Sequence, residues 1–125
     1  MILGEIVGDS IRYRAITSCL LPMGELHGKH LVSIEGINLE DLSPIQKAMV
    51  ECGGTQCGYC TPGFVVAMTA GLMDESIPLD DSGADYAISG NLCRCTGYRS
   101  IKQAGRSAIA ELESKIVDSP RIEAL

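Results

Sequence analysis

Up to Ile37 the apolar positions come in short runs rich in β-branched residues: Ile6-Val7, then Ile11 to Ile16 interleaved with polar residues, then Leu31 to Ile34. Gly8-Asp9-Ser10 and the glycine-bearing stretch from Pro22 to His30 separate these runs, a spacing that predicts three short strands and at most a partial sheet. From Asn38 the punctuation turns helical. Ser43-Pro44-Ile45-Gln46 supplies a cap, a proline at the first helical position and a glutamine at the capping-box position, so a helix of about two turns is predicted to roughly Glu51. Thr61-Pro62-Gly63 repeats the logic, Thr61 as cap and Pro62 as first residue, ahead of a helix over Phe64 to about Met73. Its apolar residues run nearly all round, which places it at the centre of the helical part. Pro78 and Asp80-Asp81-Ser82-Gly83 interrupt the chain before a short helix from Ala84 to Ser89, with Gly90 as a left-handed C-terminal cap. Ser100 to about Val117 carries Ile101, Ala104, Ala108, Ile109, Leu112 and Ile116 at helical spacing, a fourth helix with one buried stripe. The pattern is mainly α: a small β segment over 1–37, a four-helix domain over 38–117, and a tail or cut linker over 118–125.

Charge narrows the partners. Ten Lys plus Arg against 16 Asp plus Glu leave a net charge of −6, and the aromatics are four Tyr, one Phe and no Trp. Neither a basic stripe nor basic residues interleaved with stacking rings is present, which argues against nucleic acid. The longest run free of charge and proline, Gly63 to Met73, falls well short of the roughly 20 apolar residues that span a bilayer, so no membrane partner is expected. With 46% apolar and 21% charged residues among 125, the composition is that of one soluble globular domain.

The six cysteines redirect the reading. The start, Met-Ile-Leu-Gly-Glu-Ile-Val-Gly-Asp, has no basic n-region or apolar h-region, so a secretory signal is not expected and the cytoplasm is the inferred location. Under a reducing poise, clustered cysteines bind metal or do redox chemistry more often than they form staples. Cys57 and Cys60 make a C-x-x-C and Cys93 and Cys95 a C-x-C, each just before a helix start, where unpaired N–H groups favour thiolate. Gly53, Gly54, Gly58 and Gly97 would let the backbone approach sulfur, and Arg94 and Arg99 could offset charge. Zinc ribbons pair two C-x-x-C knuckles about 15 to 20 residues apart; the interval from Cys60 to Cys93 is longer and one half is C-x-C. The spacing favours a two-iron cluster over a structural zinc and leaves both open. A thioredoxin-like role for Cys57 and Cys60 would need a preceding βαβ unit, which is missing. His27 and His30 flank a Gly28-Lys29 turn and read as solvated loop residues.

Gln56-Cys57-Gly58-Tyr59-Cys60-Thr61-Pro62-Gly63, followed by Ser89-Gly90-Asn91-Leu92-Cys93-Arg94-Cys95-Thr96-Gly97-Tyr98-Arg99, resembles the iron-sulfur domain of the molybdenum hydroxylases. That family comprises xanthine dehydrogenases, aldehyde oxidases and the small subunits of carbon monoxide dehydrogenases. The resemblance runs from about Gly4 to Ala110. Tyr13-Arg14-Ala15, Ser18-Cys19-Leu20 and His30 to Gly36 look most like the xanthine dehydrogenase branch. It implies a ferredoxin-like (β-grasp) sheet with one 2Fe-2S cluster, then a four-helix domain with a second, ligated here by Cys57, Cys60, Cys93 and Cys95. Gln56 resembles a glutamine that hydrogen-bonds molybdopterin, and the backbone at Cys95 would also approach the pterin. Residues 1–18 contain no cysteine, and Cys19 resembles the last ligand of the first cluster without its three partners. One cluster is therefore expected, with the β segment a truncated ferredoxin-like remnant that leaves a sheet edge uncovered. Cys19 then reads as a buried strand cysteine and Cys52 as a small apolar packing residue.

The implied function is electron transfer: single electrons pass from molybdopterin, on a molybdenum-binding large subunit, through this chain towards FAD on a further subunit or domain. Substrate chemistry would lie elsewhere, so the chain is expected to be the iron-sulfur part of an oxidoreductase and not a catalyst alone. The rival readings are a zinc-stapled interaction module and a non-functional truncated remnant.

Overall fold

A computed structural model of the protein describes residues 1–38 and 41–116; the tail expected over 118–125 lies outside them. Three antiparallel strands, β1 (Ile2–Val7), β2 (Ser10–Ala15) and β3 (His30–Val32), form a sheet in the order β2-β1-β3. Five helices follow: α1 (Ile34–Ile37), α2 (Pro44–Glu51), α3 (Thr61–Met73), α4 (Asp81–Ala87) and α5 (Arg99–Ile116). Among the described residues no helix is long and apolar enough to cross a membrane.

The β1–β2 hairpin turns on Gly8-Asp9, where Gly8 takes a φ of +64°, the left-handed first position that matches the twist of a tight hairpin. Gly4 lies opposite Tyr13 in the register, and a Cβ there would stand 2.6 Å from the Tyr13 ring. The bare backbone therefore seats that ring, and the Tyr13 hydroxyl meets His30 Nδ1 at 3.1 Å. His30 is exposed, as expected, but it is a partnered strand residue and not a loop residue, because the third strand begins one residue before its apolar run. Cys19 also departs from expectation: it is exposed, in a 3-10 turn over Ser18–Leu20. The end of the alternating pattern near Ile16 marks where the strand stops.

The helical half is organised around α3. Phe64 to Leu72 are buried without interruption, and Thr69 donates its hydroxyl to the Val65 carbonyl at 2.8 Å, so even the polar member of the run is satisfied. Phe64, Val65, Met68 and Leu72 pack with α2, α4 and α5, through Ile45, Met49, Ala84, Ile101, Ala108 and Leu112. Val66 and Ala70, on another side of the same helix, pack against Ile2 and Tyr13 of the sheet.

Caps settle the helix ends. At α2 the Ser43 Oγ accepts from Gln46 N–H at 3.4 Å while Gln46 Oε1 accepts from Ser43 N–H at 2.8 Å, the capping box the sequence predicts. At α3 the cap position falls on Cys60 and Thr61 is the first helical residue, one step earlier than expected. α4 begins at Asp81 instead of Ala84, because Asp80 accepts from the N–H groups of Ser82 and Gly83, both at 2.9 Å. Its early first turn admits Gly83 only, since a Cβ would collide with the Pro78 carbonyl oxygen. α4 ends at Ala87 with Ile88 as cap, and Gly90 is not among the left-handed residues, so the predicted glycine cap is replaced by tight turns from Tyr86 to Ser89 and Ile88 to Asn91.

Candidate metal centre

The loop from α2 to α3 carries Cys57 and Cys60, and the loop from α4 to α5 carries Cys93 and Cys95. Because both loops lead into helix N-termini at one end of the helical half, the two cysteine pairs come together. Cys95 donates its thiol to Cys57 Sγ at 3.6 Å, and Cys60 and Cys93 interact through their thiols. Among the described residues no three His, Cys, Asp or Glu side chains are gathered closely enough for one metal ion; the sulfurs meet in twos.

The backbone that makes this possible is left-handed at several points. Gly53, Gly58 and Gly97 have φ of +63°, +82° and +64°, and Tyr98 has a φ of +67°. At Gly58 the chain reverses inside the C-x-x-C and turns the Tyr59 N–H towards Cys57. Gly54 serves by size: a Cβ would stand 2.7 Å from Met49 Sδ.

The electrostatics differ from sulfur to sulfur. Hydrogen bonds from the Thr96 hydroxyl and main chain hold the Cys93 thiol down to about 7. The Tyr59 N–H, and then the Cys95 thiol, lower that of Cys57. Burial, followed by the Cys93 thiol, pushes Cys60 up, and the Cys57 sulfur that takes its hydrogen bond pushes Cys95 up. Hydrogen bonds thus favour the thiolate at Cys93 and Cys57, while burial and neighbouring sulfurs favour the thiol at Cys60 and Cys95. Cationic charge between the sulfurs would favour the thiolate at all four, and two ferric ions would supply it with two thiolates each. The donor set and its pairing fit a 2Fe-2S unit.

Around the sulfurs the surface is open. Gln56, Arg94, Cys95 and Arg99 are exposed, and Tyr59 and Leu92 stand 95% and 86% exposed. Cys19 lies in its own exposed turn, whereas Cys52 caps α2 and packs against the helical core, as expected for a small apolar residue. Two residues that sequence reasoning passed over belong to the centre. Thr96 Oγ1 lies 3.1 Å from Cys93 Sγ; a hydroxyl three residues after a cysteine is a recognisable turn signal. Tyr98 accepts the Cys93 N–H at 2.9 Å, and nothing local predicts a left-handed tyrosine.

Residues 33–106 match the family described as the 2Fe-2S binding domain. The chain is 41% identical over 105 residues to aldehyde oxidase 2 of Cavia porcellus, covering 82% of this chain and 8% of that protein. It is 44% identical over 94 residues to a xanthine dehydrogenase of Oryza sativa subsp. japonica, covering 74% and 7%. These relatives are far longer than the stretch matched. Among solved structures, quinoline 2-oxidoreductase from Pseudomonas putida 86 is similar with a TM-score of 0.68 and 31% identity, over 80% of this chain and 62% of that one.

Proposed function

The chain belongs to the 2Fe-2S binding domain family, and from that premise we propose that it is the electron-transfer iron-sulfur component of a molybdenum hydroxylase. Its homology to stretches of aldehyde oxidases and xanthine dehydrogenases supports this reading. The observation that carries it is the meeting of two cysteine loops at one end of the helical half, with sulfurs paired across the gap and N–H and hydroxyl donors aimed at them.

In this reading Cys57, Cys60, Cys93 and Cys95 hold one 2Fe-2S cluster. Such a cluster, when bound, accepts and gives up one electron at a time at a potential set by its net charge, hydrogen bonds and exposure. The four-helix arrangement of α2 to α5 fixes the ligands, and the small sheet corresponds to part of a ferredoxin-like module. Gln56 and Cys95 are exposed, and in this reading the Gln56 amide and the backbone at Cys95 meet the molybdopterin of a molybdenum-binding partner. FAD resides on a further subunit or domain, and purine or aldehyde oxidation belongs to the molybdenum partner. The cytoplasm, where thiols stay reduced, is the proposed location.

The test is anaerobic purification with iron, sulfide and zinc analysis and a visible spectrum. The expected result is about two irons and two sulfides per chain with bands that bleach on reduction. About one zinc in a colourless protein would overturn it.

A further inference from the structure

The loop from Asn91 to Tyr98 contains an arrangement that ligand binding alone does not require. Among the described residues Tyr98 is the non-glycine position with a left-handed φ, and it directly follows the left-handed Gly97. This conformation is disfavoured for a bulky side chain and persists only where the surroundings hold it. Three contacts do so. The Tyr98 ring packs edge-on to the buried Phe64 at a centroid distance of 6.1 Å, and its hydroxyl accepts from Cys93 N–H at 2.9 Å and donates to the Asn91 carbonyl at 3.2 Å.

The left-handed turn aims the Tyr98 N–H at Thr96 Oγ1, 3.2 Å away. The Thr96 oxygen therefore accepts from the main chain and its own proton is left for Cys93 Sγ at 3.1 Å. A thiolate has no proton to give, so with Cys93 as a ligand the donor is Thr96. The Thr96 N–H approaches the same sulfur at 3.5 Å.

We propose that Thr96 sets the reduction potential of this centre by donating its hydroxyl to the Cys93 sulfur, and that Tyr98 is the positioning residue that holds the hydroxyl in that orientation. The inference rests on the proposed ligand role of Cys93. One-electron reduction adds one negative charge to the centre, with no bond made or broken and no proton required. A donor aimed at a ligand sulfur stabilises the more negative state and raises the potential. Tyr98 acts through Thr96: its N–H occupies the oxygen lone pair, and its hydroxyl ties the ends of the loop.

The experiment is a redox titration of the loaded full-length chain with dithionite and mediators, followed by visible absorption. Wild type is compared with Thr96→Val, Thr96→Ala and Thr96→Ser. Removing the hydroxyl is expected to lower the reduced-to-oxidised ratio at a fixed poise by up to about tenfold, because only the part of a charge-assisted hydrogen bond that strengthens on reduction counts, while Thr96→Ser keeps the wild-type midpoint. The Fe–S stretching bands of the oxidised wild type should also shift in D₂O, with part of that shift lost in Thr96→Val and Thr96→Ala. Unchanged midpoints in Thr96→Val and Thr96→Ala, or a Thr96→Ser midpoint that falls with theirs, would overturn the inference and leave the cluster assignment standing. A wild-type chain that takes up no iron and sulfide would overturn both.

Discussion

The two cysteine-bearing loops reach the same centre by different means. The loop before α3 is built from permissive residues: left-handed glycines at Gly53 and Gly58 and a tight approach at Gly54 allow the chain to fold round Cys57 and Cys60 without strain. The loop before α5 places a left-handed tyrosine behind its glycine and fixes it by hydrogen bonds and an aromatic contact. The first loop is shaped by removing side chains and the second by locking one in. Within each loop one sulfur is lowered and the other raised: Cys57 by the Tyr59 N–H and Cys60 by burial in the first, Cys93 by Thr96 and Cys95 by the Cys57 sulfur in the second.

The comparison breaks most sharply at the sulfurs. Cys57→Ser and Cys93→Ser are each expected to abolish iron binding, one from either loop, whereas Cys19→Ser, in its separate exposed turn, should leave iron content unchanged. Iron analysis of the purified variants checks this, and equal loss from Cys19→Ser would sink the ligand assignment. Next in size is the wall behind the locked loop. Phe64 is fully buried and touches the Tyr98 ring, so Phe64→Ala is expected to cost about 3–5 kcal/mol. Ile6→Thr, at a residue 74% exposed on the sheet, should change stability by less than about 0.5 kcal/mol. Denaturant midpoints compare the two. Smaller than the Phe64→Ala loss is that at the start of α2: Ser43→Ala removes half of the capping box and should cost about 1 kcal/mol by the same measurement. The finest distinction is in pH. The Cys93 thiol is lowered to about 7 and the Cys60 thiol is raised. In the metal-free chain, alkylation of Cys93 should rise with an inflection near 7 and that of Cys60 only at higher pH. The sign for folding follows: the stability gained from the Cys93 thiolate is complete above the ordinary thiol range and is lost as pH falls through about 7. Coincident alkylation profiles would erase the contrast between the two sulfurs.

Much of this was legible in short stretches of chain. Ser43-Pro44-Ile45-Gln46 sets the start of α2, the unbroken apolar run after Pro62 sets α3, and the stripe from Ile101 to Leu112 sets the buried face of α5, since caps and periodicity act over a few residues. That each cysteine pair lies in a loop leading into a helix was legible from Thr61-Pro62 and from the stripe that starts at Ile101. What escaped depends partly on side chains and turns competing within a few residues and partly on a neighbour distant in sequence. Asp80, not Ala84, opens the region of α4 because a side-chain oxygen outcompetes the intervening glycine and serine. Gly90 lost its expected cap role to hydrogen bonds made by Ser89 and Asn91. Cys19 turned out exposed because its strand had already ended. Tyr98 is held left-handed in part by Phe64, a partner on α3 that no local rule connects to it.

The double-sided burial of α3 has a consequence for biosynthesis. As the chain leaves the ribosome, the β1–β2 hairpin is already available to cover Val66 and Ala70, and Ile45 and Met49 of α2 to cover part of the other side, but Ile101, Ala108 and Leu112 of α5, which complete the cluster around Phe64 and Met68, emerge after α3. The nascent chain therefore passes through a stage in which an almost wholly apolar helix is only partly covered. That stage is a natural point for chaperone capture and for quality control, and it ends only when α5 docks and completes the second cysteine loop.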